Sequence, residues 1–373
     1  MECVIGAGDL ARLCRRAGLA LAAQAALPVL AGLELTVEGS GRLVARATDL
    51  VVEIAAAAEP LSGNREGRAV IPAARFADWV GQVPADQAVR LAVRDDGEAP
   101  RLVAASGAAT ARFPLFPEAL PSLAEAWGGL AETVLVPADV FRRHAAWLFS
   151  AAPPKEAGQP ILTGGHLAAA EGVLVAAATD RARLTQWSLP VDPSVTWEAT
   201  WSPRSMQIAG GLLDEDTDTV AVAVTGALAR IAGPDWVLTT RLLDGAYPDY
   251  RRVIPAEVEA GAAVDRGALA AAAGRLLALV DPRADALRVE WDGGALRLSV
   301  QGGAGSAGEE RVPGDGQGVA ARSVHPGWFL QAVRAYAGER LDLAAMAPVG
   351  QGPVRFQADG QPTHWLLPLR VIA

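Results

Sequence analysis

One plan is written three times along this chain, and the repetition restricts the available folds more than any single motif does. A short strand, a helix and an alternating strand recur about every 130 residues, a period that suits three domains of ordinary size. The first copy reads Cys3-Val4-Ile5 and then a helix from Asp9 to Gly18. The second reads Thr133-Val134-Leu135-Val136, with Pro137-Ala138-Asp139 opening a helix through Phe149. The third reads Ala262-Ala263-Val264 and then a helix from Arg266 to Val280. Downstream, Leu30-Ala31-Gly32-Leu33 leads into Ala47-Thr48-Asp49-Leu50, as Ile161-Leu162-Thr163-Gly164 leads into Ala178-Thr179-Asp180-Arg181. Each copy then starts a second helix near a proline: Pro72 to Gln82, Pro203 to Leu213 and Pro326 to Ala337. Proline suits a first turn, where its missing N–H would have no helical partner. The pattern predicts an α+β chain of three repeated domains, 1–126, 127–256 and 257–373. Strands should outnumber the six helices, and many alternate, as in Arg288-Val289-Glu290-Trp291 and Arg297-Leu298-Ser299-Val300. Ala124–Ala131 and Pro255–Gly261 read as linkers, and the glycine- and acid-rich Gln301–Gly318 as a mobile loop.

Length and composition fit that plan. A chain of 373 residues that is 51% apolar can fill several cores. No run reaches the roughly 20 uninterrupted apolar residues of a membrane span; Gln24, Pro28 and Arg275 interrupt the best stretches. The opening residues lack a signal-peptide layout, and Cys3 and Cys14 make no disulfide framework. The expectation is a reduced cytoplasmic protein without a membrane partner.

The net charge of -9 argues against a protein that coats itself in nucleic acid, yet the charge is unevenly placed. The six helical segments together carry +7, which leaves -16 for the rest. In the first helix Leu10, Leu13, Cys14 and Ala17 have the spacing of one buried face, while Arg12, Arg15 and Arg16 share another. Arg142 and Arg143 sit similarly beside Phe141 and Leu148. Solvated arginine faces are common. The functional reading is a set of helices facing phosphate through weak, salt-dependent contacts blind to sequence.

Enzymatic signals are thin. Val4-Ile5-Gly6-Ala7-Gly8-Asp9-Leu10-Ala11 fits the strand-GxGxxA-helix start of a dinucleotide site and supports an oxidoreductase as a minor alternative. Against it, the equivalent turns read Pro137-Ala138-Asp139 and Asp265-Arg266-Gly267, and no alternation of parallel strands and helices follows. Asp9 reads better as a helix N-cap or first-turn acid. His144, His166, His325 and His364 are scattered without zinc-ligand spacing, and no serine or cysteine carries a local nucleophile signature. Neither catalysis, a cofactor nor a metal is expected.

Five strings carry a family resemblance: Leu27-Pro28-Val29-Leu30, Ala47-Thr48-Asp49-Leu50, Thr179-Asp180-Arg181-Ala182-Arg183-Leu184, Asp244 through Val253, and Leu367-Pro368-Leu369-Arg370. In order and position they resemble the beta sliding clamp of bacterial DNA polymerase III. The resemblance implies three processivity-fold (DNA clamp) domains, each with two helices and two sheets, and two chains closing head to tail into a ring. It implies a non-catalytic factor that encircles duplex DNA without regard to sequence, is placed there by a clamp loader, and tethers polymerase III and other proteins with clamp-binding motifs.

By position, the family's partner-peptide cleft falls on Leu162, Thr179, Arg181, Arg183, Leu184, Pro248, Arg252 and Val253, with a second wall of Leu366, Leu367, Pro368, Leu369 and Arg370. Such an apolar slot bordered by arginines suits a short extended peptide with an aliphatic or aromatic anchor. The DNA-facing set is Arg12, Arg15, Arg16, Gln24, Arg75, Arg142, Arg143, Lys155, Arg204 and Arg275. Ring closure would set Phe113 and Leu115 against Leu279 and Val280 of the next chain. Three departures stand out. Many clamps read Thr-Asp-Gly-His-Arg-Leu where this chain has Arg181 and Ala182; Gln24 replaces a DNA-contacting arginine; and Pro160 and Ile161 replace aromatics near Lys155. They leave open a clamp-like interaction protein, or an inhibitor-tolerant second copy, with reduced loading on DNA.

Overall fold

The computed structural model describes residues 1–22, 27–95, 99–129, 131–142, 159–303 and 305–369. Helices span Ala7–Gly18, Ala73–Gly81, Pro203–Leu212, Arg266–Leu277 and Pro326–Ala335, and residues 138–142 are helical. Asp265 caps the fourth of the five through the Ala268 amide at 2.6 Å, and His325 Nδ1 caps the last through the Trp328 amide at 3.2 Å. None of the described helices is long and apolar enough to cross a membrane.

Every described strand pair is antiparallel, and each copy of the sequence plan repeats two groups of strands, four in each except that Ser62–Arg65 adds a fifth to one group of the first copy. In the second copy one group is Thr133–Pro137, Thr219–Thr225, Leu228–Ala232 and Trp236–Arg241. The other orders Trp197–Trp201, Gly165–Ala170, Val173–Thr179 and Arg183–Pro190. Successive copies join edge to edge. Val52–Ala58 of the first pairs with Trp236–Arg241 of the second, Ile54 opposite Leu238, to give an eight-stranded sheet. Arg183–Pro190 of the second pairs with Thr363–Leu366 of the third, Arg183 opposite Leu366, within a twelve-stranded sheet.

These junctions shape the compact units. One unit comprises Met1–Arg142 with Arg204–Leu242, and the other the remaining described residues, so compactness follows the joined sheets instead of chain order. In the first unit, Leu10, Leu13 and Ala17 are fully buried and Phe76 packs edge-on to Phe113 at 5.2 Å. Arg46 is held inside it by Glu34 at 2.9 Å, Glu53 at 3.1 Å and the carbonyls of Leu120 and Pro121. In the second unit, Leu269, Leu276, Phe329, Val333 and Phe356 share one core. Arg322, buried among them, donates to Glu259 at 2.6 Å and to the carbonyls of Gly352 and Met346. Such a charge is tolerated only because each donor finds an acceptor.

Two expectations are corrected. Gln301–Gly318 is not a loop: Ala307–Gln317 is an eleven-residue strand paired with Ala295–Gln301 along its first half and with Val258–Asp265 along its second. Glycine here serves close strand approach, since a Cβ on Gly314 would stand 2.8 Å from the Ala263 carbonyl oxygen. The acids are cross-strand partners: Glu309 meets Arg297, and Asp315 meets Arg340 at 3.2 Å. The linker expected at Pro255–Gly261 likewise gives way to a strand at Val258, whose ladder neighbours offer more hydrogen bonds than solvent-exposed coil.

Candidate functional site

The strand pair joining the second and third copies carries a hollow of about 380 Å³ on its surface. Its wall begins with a turn built by Thr179 and Asp180. Thr179 Oγ1 donates to the Arg183 carbonyl at 2.6 Å and accepts the Arg181 amide at 3.0 Å. Asp180 accepts the amides of Ala182 and Arg183 and the Arg183 guanidinium at 2.8 Å. The turn forces Arg181 to φ +74, and the first copy repeats the arrangement at Thr48-Asp49-Leu50 with Leu50 at φ +73. The floor is aromatic and aliphatic: Leu184 and Tyr250 are buried together with Ala177, against Tyr247, Ile254 and Trp365. Tyr247 accepts the Thr179 amide at 3.1 Å and stacks on His166 at 4.7 Å. Burial raises both tyrosine phenols above their ordinary range and lowers His166 below its own, so the floor stays uncharged near neutrality.

Eight of the cleft residues expected from sequence line this hollow: Leu162, Thr179, Arg181, Arg183, Leu184, Pro248, Val253 and Leu367. Pro368 and Leu369 line an adjoining hollow of about 700 Å³ with Arg288, Ser323 and Gln351, and Leu367 belongs to both. Leu366 is corrected: it is fully buried in the core, because strand alternation turns Trp365 and Leu367 to the cleft and His364 and Leu366 inward. Arg252 flanks the hollow without lining it, held by Asp249 at 2.9 Å and 85% exposed. Arg370 lies outside the described residues. Sequence reasoning missed Tyr250 and Trp365; the alternation through Leu367 was the signal for Trp365.

Arg183 acts as a hub, with its guanidinium 4.6 Å above the Trp328 ring and donating to Gln331 at 3.0 Å. It is 8% exposed, and is better described as fixing the wall than as offering charge to a ligand.

The expected DNA-facing residues separate into two groups. Arg15, Arg75 and Arg142 are exposed, the last donating to the Asp214 carbonyl at 2.9 Å. Arg12 is half-buried and bonded to Asp9 at 2.9 Å, while Arg204 pairs with Asp49 and Arg275 with Glu310. Arg16 departs from expectation: it is 4% exposed and held by Asp214 and Asp235, so it does not share a free surface with Arg15. Helical spacing located the face but not the two acids brought onto it by distant turns. Gln24, Arg143 and Lys155 lie outside the described residues.

The dinucleotide turn is occupied by the chain itself. The Ala7 amide donates to the Gln87 carbonyl at 2.8 Å and the Gly8 amide to Ala85 at 3.2 Å, which removes the donors a pyrophosphate would need. Asp9 sits in the first turn bonded to Arg12, and Gly6 is the N-cap.

Threefold repetition, two strand groups in each copy joined into larger sheets, and helices from each copy define the DNA-clamp class of fold. Crystal structures of this class agree along the whole chain. A DNA polymerase III beta-subunit clamp from Pseudomonas aeruginosa superposes with a TM-score of 0.89 at 21% identity over 100% of both chains. A beta sliding clamp from C. crescentus gives 0.87 at 23%, covering 100% of this chain and 99% of that one. Residues 1–119 match the N-terminal domain of the DNA polymerase III beta subunit, and residues 136–249 its central domain. The beta sliding clamp of Escherichia coli K12 is 31% identical over 254 residues, 66% of this chain and 67% of that protein. That of Synechococcus elongatus is 30% identical over 301 residues, 77% of each. The chain belongs to the DNA polymerase III beta-subunit family, the bacterial beta sliding clamps.

Proposed function

We propose that this chain is a DNA sliding clamp: two copies close head to tail into a ring that encircles duplex DNA and tethers polymerase and other DNA-processing partners in the cytoplasm. The observation that carries this reading is the pair of sheet edges left over by the repeat. Two junctions between copies form within the chain. Their third counterpart would join Ala307–Gln317 of the third copy to Ala109–Pro114 of the first. Among the described residues, Ala109–Pro114 is the edge of its five-stranded sheet, and Ala307–Val312 is paired on one side only. A second molecule related by twofold symmetry would satisfy both edges twice. In this reading the domains are 1–126, 127–256 and 257–373, and the factor is non-catalytic: retention is topological, and the basic helices only keep the ring centred through phosphate contacts.

Leu279 and Val280 support the same closure. Leu279 is 39% exposed and adjoins the open strand, its carbonyl accepting Ser306 Oγ at 2.6 Å. Phe113, by contrast, is buried against Phe76 and Trp79, so it stiffens the opposing edge while Leu115, half-buried, offers contact.

The test is retention on nicked circular DNA after incubation with a clamp loader and ATP, followed by linearisation. Retention on the circle and loss from the cut DNA is the expected result. A dimer that is never retained, beside a control clamp that loads, favours a clamp-like interaction protein. Engagement of Arg16, Arg204 and Arg275 by acids is the observation on that side.

A further inference from the structure

The charges around the smaller hollow do not balance. Two aspartates border it and each already holds an arginine: Asp180 receives Arg183 at 2.8 Å, and Asp249 receives Arg252 at 2.9 Å. Arg181 is left over. It lines the mouth, is exposed, and has no ion pair among the described residues. The rest of the lining is mainly apolar, including Leu162, Leu184, Tyr250, Val253 and Leu367. The site therefore presents a greasy floor and, among the residues that line it, one uncompensated positive charge, Arg181.

Backbone geometry places that charge at the tip of the turn. A non-glycine residue at φ +74 gives up stability relative to glycine, because its Cβ crowds the following carbonyl. Leu50 occupies the equivalent turn at φ +73, so the fold accepts a side chain there without requiring arginine. What distinguishes position 181 from position 50 is its place on the rim of a hollow.

We propose that Arg181 is a specificity-determining residue, which selects partner segments carrying a carboxylate beside the apolar anchor that fills the hollow. The proposal rests on the reading of this hollow as a partner-peptide cleft. Its occupant is a short extended peptide of another protein, with an aliphatic or aromatic anchor flanked by aspartate or glutamate. The anchor supplies most of the affinity by burial, and the Arg181–carboxylate pair discriminates between anchors of similar shape.

The test uses the full chain and acetylated, amidated hexapeptides ending in Leu-Phe, with Asp or its isostere Asn placed in turn at each of the three preceding residues. Affinities are measured by calorimetry. At one position Asp should bind about threefold more tightly than Asn, the scale of an exposed ion pair. The difference should vanish in Arg181→Gln and in 1 M salt, where screening reaches within about 3 Å, and persist in Arg181→Lys. An Asp-to-Asn ratio in Arg181→Gln equal to that of the unsubstituted chain overturns the proposal. Loss of binding in Val253→Asp separates the two readings. If peptides bind through the hollow but without charge preference, only the role of Arg181 falls. If no peptide binds, or Val253→Asp makes no difference, the cleft reading fails and takes the proposal with it.

Discussion

His364 shows how far a single side chain can be removed from its solution behaviour. It is buried in the strand Thr363–Leu366, with Nδ1 2.7 Å from Thr185 Oγ1. Burial, and then the nearby charge of Arg183, push its pKa down to about 3. The unfolded chain takes up this proton near pH 6.5, whereas the folded chain resists it. Stability is therefore complete above about pH 6.5 and declines as pH falls toward 3, by at most about 1.4 kcal/mol per pH unit for this group. Urea midpoints measured between pH 7 and 4 should fall more steeply for the unsubstituted chain than for His364→Asn, whose amide can keep the bond to Thr185. Parallel curves would remove His364 from the explanation. Leu366 and Leu367 give the complementary lesson: two adjacent leucines with one hydropathy have opposite fates, decided by which face of the strand each occupies.

At the scale of elements, the first helix was legible in its period and misread in its charge. Leu10, Leu13, Cys14 and Ala17 are buried as the spacing requires. Arg16 is equally buried, because Asp214 and Asp235 arrive from turns about 200 residues away in sequence. If the helix faces DNA, Arg15→Ala should reduce the salt dependence of duplex binding by about one phosphate contact, a change of about 0.9 in the log–log slope. Arg16→Ala should leave that slope unchanged while lowering the urea midpoint, since it strands two carboxylates against the helix. Equal slope changes in both variants would mean that the ion pairs open on DNA. The strand Ala307–Gln317 was misread for a related reason. Its glycines and acids look like coil until the strands on both sides are in place to use them.

For the whole molecule, the repeat makes an oligomeric prediction that no individual domain would make. Two sheet junctions close within the chain, and in the proposed ring the third closes with another copy. Leu279→Asp combined with Val280→Asp should convert the dimer to monomers at micromolar concentration in sedimentation velocity, with circular dichroism unchanged. A persistent dimer would place the interface elsewhere. If the proposed ring holds, loading on DNA should be lost together with the dimer.

The threefold plan, the position of most helices, the alternating strands and the strings that border the hollow were all legible in the sequence. These are local properties: a period, a proline near a helix start, or a Thr-Asp turn satisfies its own hydrogen bonds within a few residues. Which arginines keep a free charge, the completion of the hollow by Tyr250 and Trp365, and the place of Leu366 in the core were set by tertiary contacts. Those outcomes depend on groups far apart in the chain. A charge is cancelled or left over, and an apolar face covered or exposed, only when the sheets have joined and brought the second partner into reach.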